Sequence, residues 1–255
     1  MKRLLIGIAA AASLSATGAL AADLPAKAPV YTKAPAIVTA AYNWSGFYLG
    51  VEGGYGWGHS DQTDPGIPAP PPVVLTPPPV GDGHFGVHGW LAGGTAGYNW
   101  QMGPWVFGLE GDYSWSDISG SSQACGPAFA LHACGTKLDS LGTFRGRIGY
   151  AAGQTGNVLL YATGGLAVGD VHAWDALTPA SGSSFEAGWT VGAGVEFAFA
   201  PQWTAKIEYL YVDLGKHQLF NIINSPVVPE TVSFTTNIVR AGVNYHFGGP
   251  VVAKY

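Results

Sequence analysis

The charged residues of this chain recur two positions apart: Glu110 with Asp112, Arg145 with Arg147, and Lys206 with Glu208. On a β-strand that spacing sets both side chains on one face. Two carboxylates on a shared face are the parts of a general acid and base, one holding a proton and the other ionised. Carboxylates and arginines facing one another also make buried ion pairs, the cheapest way to keep a charge out of water. Glu52, Glu186, Glu196 and Arg240 stand singly on what the alternation reads as the same inward face of their strands. The ion-pair reading is the stronger, because carboxylates at this density are expected in a polar lumen without any catalysis.

Seven histidines, His59, His84, His88, His132, His172, His217 and His246, are candidate ligands for a metal or for haem and read mostly as loop residues. No H-E-x-x-H or C-x-x-C spacing accompanies them, so no metal, cofactor or catalytic residue is assigned. His59 and Ser60 are neighbours, and neighbours on a strand point to opposite faces, which weakens a hydrolase pair. Neither G-x-S-x-G nor G-x-x-x-x-G-K-[ST] occurs, so neither a nucleophile elbow nor a phosphate loop is indicated. Cys125 and Cys134 lie in one polar, glycine-containing segment. In an exported chain a local disulfide is the expected outcome, contributing about 2–3 kcal/mol on the chain-entropy model. A two-ligand metal clip and two free thiols are the alternatives.

The elements that must position these residues are strands. Only 11% of the chain is charged, and it holds 38 Gly, 9 Trp, 12 Tyr and 11 Phe. Glycine costs about 1 kcal/mol at each helical position, so this is no helical bundle. Phe47, Leu49, Val51, Tyr55 and Trp57 alternate with Tyr48, Gly50, Glu52, Gly54, Gly56 and Gly58, one greasy face against one of glycine and a carboxylate. The same alternation predicts eight strands over 45–58, 86–100, 105–115, 140–150, 158–169, 185–199, 203–213 and 232–247. Short connections (101–104, 151–157, 200–202) alternate with long ones (59–85, 116–139, 170–184, 214–231). Trp90 and Trp100, then Trp105 and Trp115, stand near strand ends as aromatic girdles do at two membrane interfaces. Phe144, Ile148 and Tyr150 are predicted to face outward. Thr143, Arg145 and Arg147 are predicted to face a lumen where an added arginine at Thr143 is tolerated. The pattern is that of an all-β, eight-stranded antiparallel transmembrane barrel with short periplasmic turns and long extracellular loops.

The termini fit export. Lys2 and Arg3, an apolar run and Ala19-Leu20-Ala21 form a signal peptide over 1–21. An extended Pro- and Ala-rich lead-in follows over 22–43, then the barrel over 44–247 and a tail over 248–255. Losing the signal leaves nine Lys and Arg against 16 Asp and Glu, a net charge of −7, which argues against nucleic acid as a partner. Eight prolines between Pro65 and Pro79 read as a protruding surface loop. Val239, Ala241, Val243, Tyr245 and Phe247 form the apolar face of the last strand, whose aromatic end, Tyr245 and Phe247, is the expected assembly signal.

Three passages together carry a resemblance: ADLPAKAP (Ala22 to Pro29), NWSGFYLGVEGGYGWG (Asn43 to Gly58) and RAGVNYHF (Arg240 to Phe247). They resemble the alphaproteobacterial outer-membrane surface-antigen or porin-family proteins, which include haem-binding members. The resemblance implies an eight-stranded outer-membrane barrel with a role in envelope integrity and surface exposure, and brings no catalytic residues. The expected function is structural and surface-exposed, not enzymatic, with weak small-solute passage as a secondary activity. The alternatives are a haem or ligand receptor using the loops and, more remotely, a lipid-modifying barrel. Expected partners are outer-membrane lipids, lipopolysaccharide and the outer-membrane assembly machinery, with a homo-oligomer left open.

Overall fold

The computed structural model describes residues 41–64, 80–125, 132–176, 180–218 and 231–247. The signal peptide, the lead-in up to residue 40, the proline-rich loop and the tail 248–255 lie outside the described residues. Eight strands run in chain order: β1 (Gly46–Asp64), β2 (Val80–Met102), β3 (Trp105–Cys125), β4 (His132–Ala152), β5 (Val158–Asp175), β6 (Ala180–Ala200), β7 (Trp203–Gln218) and β8 (Thr231–His246). Each pairs antiparallel with the next, and β1 closes on β8 from Tyr48↔His246 to Thr63↔Thr231. Closure leaves no strand edge unpaired, the condition for backbone inside a bilayer.

The strands have 16 to 23 residues, whereas a tilted strand needs only about 9–11 to cross a bilayer. The excess lies at the end carrying the long connections. Three boundaries read from the alternation, 115, 140 and 213, coincide with register shifts between Trp115 and Ile118, Leu138 and Ser140, and Asp213 and Lys216. A bulge adds a residue and flips the phase of alternation, so a period-two pattern stops there although the ladder continues. Within the segments read as long loops, residues 59–64, 80–85, 116–125, 132–139, 170–175, 180–184 and 214–218 are therefore strand. His59, His84, His132, His172 and His217 stand on strands, correcting the loop placement, and His88 stands on β2 within the strand predicted over 86–100.

Outside, large apolar side chains form a belt, with Trp90, Trp115, Leu166, Phe185 and Ile207 among the most exposed. Inside, space is scarce. An alanine Cβ at inward Gly188 would lie 1.9 Å from the Asp213 carbonyl oxygen, whereas at outward Gly146 its nearest contact is 4.0 Å away. Glycine alternates inward with bulky residues because eight strands leave room for little else. Gly188→Ala is expected to lower stability by about 1–3 kcal/mol through overpacking, and Gly146→Ala to stay within about 0.5 kcal/mol. Urea midpoints of the two refolded variants check this, and equal midpoints would refute the assigned facing.

Candidate functional site

The interior divides into three tiers. At the end with the short connections, Trp44, Val106, Leu159, Tyr161 and Ala198 pack together, with Tyr42 and Ala151 against them. Above them lies a layer of charge. The third tier is mainly apolar: Phe85, Val87, Leu91, Ile118, Leu138, Leu141, Leu210 and Phe234 are among its buried members, together with Cys125 and Cys134, and the buried polar side chains Ser60, Gln62, Thr136 and Glu186 lie among them.

The charged layer joins nine of the ten residues read as a polar lumen, from six strands. Arg145, fully buried, donates from Nη2 to Glu110 (2.5 Å) and Asp112 (2.9 Å) and from Nη1 to Glu208 (3.1 Å). Arg240 donates to Glu52, to both oxygens of Asp112 (3.1 Å each) and from Nε to Glu208 (2.8 Å). Lys206 Nζ lies 3.1 Å from Glu52 and 3.3 Å from Glu110. Arg147 pairs with Glu196 (2.7 Å) and Glu110 (3.3 Å), and its guanidinium lies 4.4 Å from the centre of the Tyr161 ring. Tyr48 donates to Glu110 (2.6 Å) and Thr143 to Asp112 (2.6 Å). Glu196 also accepts from Thr204 (2.5 Å) and Asn244 (2.8 Å) and lies 3.5 Å from His246. Glu186 is also buried, on β6 opposite Gly169 and nearer the long-connection end.

Each guanidinium is shared among several carboxylates, so the desolvation cost of every ion is offset by more than one partner. Chemically the layer is a cross-link between strands. Its carboxylates face arginines and lysine, whereas acid–base work needs one turned towards a substrate. Thr143 is packed too tightly for the added arginine expected to fit there: its Oγ1 donates to Asp112 and accepts from Arg145 Nε at 2.9 Å.

Other candidate residues separate. His59 is exposed and Ser60 buried, where Ser60 Oγ meets Thr136 Oγ1 at 3.0 Å. His59 and His84 stack on the outer face, ring centres 5.0 Å apart, and His84 pairs with Asp61. Among the described residues no group of three or more His, Cys, Asp or Glu is arranged to hold a metal ion. Cys125 and Cys134 form a disulfide that is buried at the long-connection end, not in a polar surface loop. Bulges in β3 and β4 and their inward phase put it there. Tyr245 pairs with Leu49 and Trp203, while the exposed Phe247 ring packs 5.6 Å from Phe47.

Sequence reasoning missed the mainly apolar upper tier and the inward burial of Trp44. The first arises where bulges turn Leu138 and Ile118 inward. The second was masked because a tryptophan beside a strand end reads as a girdle residue.

Residues 7–247 match the family described as Outer membrane protein beta-barrel domain. The 31 kDa outer-membrane immunogenic protein of Brucella melitensis is 35% identical over 254 residues, covering 94% of this chain and 98% of the relative. The 25 kDa outer-membrane immunogenic protein of Brucella abortus is 30% identical over 251 residues, covering 97% and 99%. Both are named as immunogenic proteins and not as enzymes. Among solved structures, the outer membrane protein OprG of Pseudomonas aeruginosa is 11% identical with a TM-score of 0.46, over 80% of this chain and 98% of that one. With the closed barrel, the apolar belt and matches spanning nearly its whole length, this chain belongs to the outer-membrane β-barrel family of the alphaproteobacterial outer-membrane immunogenic proteins.

Proposed function

We propose that this protein is a sealed structural barrel that carries its long connections at the cell surface, an antigen-like role in the envelope without catalysis. One observation carries the reading: an ion-paired layer lies beneath a tier of buried apolar side chains. An ion crossing the lumen would have to shed its water among the latter and displace a guanidinium from the former. In this reading the apolar belt contacts membrane lipid and lipopolysaccharide, and Tyr245 and Phe247 present the aromatic end that the assembly machinery reads.

The test is conductance. Purified, refolded protein in planar bilayers is expected to give no stable large steps, because an eight-stranded lumen is filled by its own side chains. Reproducible large steps from pure protein would overturn the sealed reading and favour solute passage.

A further inference from the structure

The short segment before β1 does something the ladder does not require. Residues 41–45 form no strand, and the β1–β8 pairing closes the barrel without them. They nevertheless lie across the periplasmic mouth. Tyr42 N–H donates to the Thr155 carbonyl (2.8 Å), Trp44 N–H to Gln101 Oε1 (2.7 Å) and Trp44 Nε1–H to the Gly156 carbonyl (2.8 Å). Gln101 N–H in turn donates to Ser45 Oγ (3.0 Å). These anchors sit at the β2–β3 and β4–β5 connections, so one strap ties two separate turns. Its wedge is Trp44, fully buried against Val106, Leu159, Tyr161 and Ala198 and 6.0 Å from the His246 ring.

Behind the wedge the lumen is polar and incompletely paired. Both amide atoms of Asn99, Asn244 Oδ1, His246 Nδ1 and Tyr161 Oη are buried without a hydrogen-bond partner among the described residues. Each belongs to a side chain more than nine-tenths buried. Such groups are normally satisfied by water or a small polar ligand. The apolar tier closes the extracellular route, so the end covered by the strap is the route of entry. The charged layer holds five carboxyl groups (Glu52, Glu110, Asp112, Glu196, Glu208) against the four cationic side chains of Arg145, Arg147, Lys206 and Arg240, more acids than bases.

We propose that residues 41–45 are a removable stopper, with Trp44 as its wedge, over a one-ended periplasmic vestibule that takes small cations. The strap adds no charge of its own: burial and the negative charge of Glu196 push the Tyr42 phenol up to about 12, leaving it neutral at physiological pH. Withdrawal would uncover Asn99 and the other unpaired polar atoms behind Trp44 while the extracellular tier stays shut. The inference rests on the sealed interior proposed above.

Asn99→Cys supplies the reporter, because its amide gives up no hydrogen bond within the protein and both native cysteines are held in the buried disulfide. The refolded full chain is treated with thiol-reactive methanethiosulfonates bearing either a trimethylammonium or a sulfonate group. With Trp44 present, modification is expected to be slow. With Trp44→Ala added, the rate should rise about tenfold or more, as expected when a local closure is lost. The cationic reagent should be the faster, and millimolar indole should slow the reaction again. Gln101→Ala, which loosens the strap and keeps the wedge, should give an intermediate rate. An unchanged rate in Trp44→Ala would overturn the stopper, and equal rates for the two reagents would overturn the cation assignment. If Trp44→Ala failed to form a barrel, Gln101→Ala would decide, and an unchanged rate there would count against the proposal. A conducting wild-type barrel would defeat the sealed reading and with it the one-ended vestibule, whereas the thiol rates, which compare variants at one mouth, test the stopper separately.

Discussion

Arg145→Ala is expected to lower the stability of the folded barrel by about 3–5 kcal/mol, the range for removing one partner from a buried ionic group. The Arg145 side chain is wholly inaccessible and serves Glu110, Asp112 and Glu208. Its removal leaves those carboxylates facing one another with fewer cations between them, and the packed tiers above and below slow the entry of compensating water. Arg145→Lys should recover only part of the loss. One ammonium on a flexible stem cannot reproduce a planar fork that reaches Glu208 with Nη1 and the other two acids with Nη2. Combining Arg145→Met with Asp112→Asn should restore more than Arg145→Met alone retains, because it removes a negative charge with the positive one. Urea midpoints in micelles, with gel migration of unboiled samples as the assay of folding, rank the variants. A loss of only about 0.5 kcal/mol for Arg145→Ala, as for an exposed site, would show that the layer is hydrated and that the lumen is not sealed.

The second large effect concerns facing and depth together. Leu109 is exposed on the outer face, midway between Trp105 and Trp115 on β3. An arginine there should cost about 2–4 kcal/mol, as at the bilayer midplane. Ile148 also faces out, but it is only one outward position from Tyr150, which pairs with Trp105. An arginine at Ile148 can reach the interface with its head group, so the cost should fall towards about 0–1 kcal/mol. Thr143→Arg, although inward, should be damaging, because the new side chain displaces the hydrogen bonds to Asp112 and Arg145 in a space already filled. The expectation from alternation alone, that Ile148→Arg is far worse than Thr143→Arg, is thereby reversed. Refolding yields and midpoints of the three variants test the order. A Thr143→Arg barrel as stable as wild type would mean an interior much looser than the packed layer.

Period-two alternation of Phe47, Leu49 and Val51 against Tyr48, Gly50 and Glu52 is a local property, so the residues alone determined strand existence and facing. The same alternation was sufficient to gather Glu52, Glu110, Asp112, Arg145, Arg147, Glu196, Lys206, Glu208 and Arg240 on one face. Their partners were not legible, because which guanidinium meets which carboxylate depends on the register between strands distant in the chain, such as Glu52 and Arg240. Strand length was hidden at the bulges, where Ser140 and Leu141 both turn inward and the pattern loses phase while the hydrogen bonds continue. Only tertiary structure decided that the upper lumen is apolar, that Cys125 and Cys134 lie inside it, and that Trp44 folds across the mouth. Each of these depends on curvature and closure, which bring together side chains from strands with no local relation in sequence.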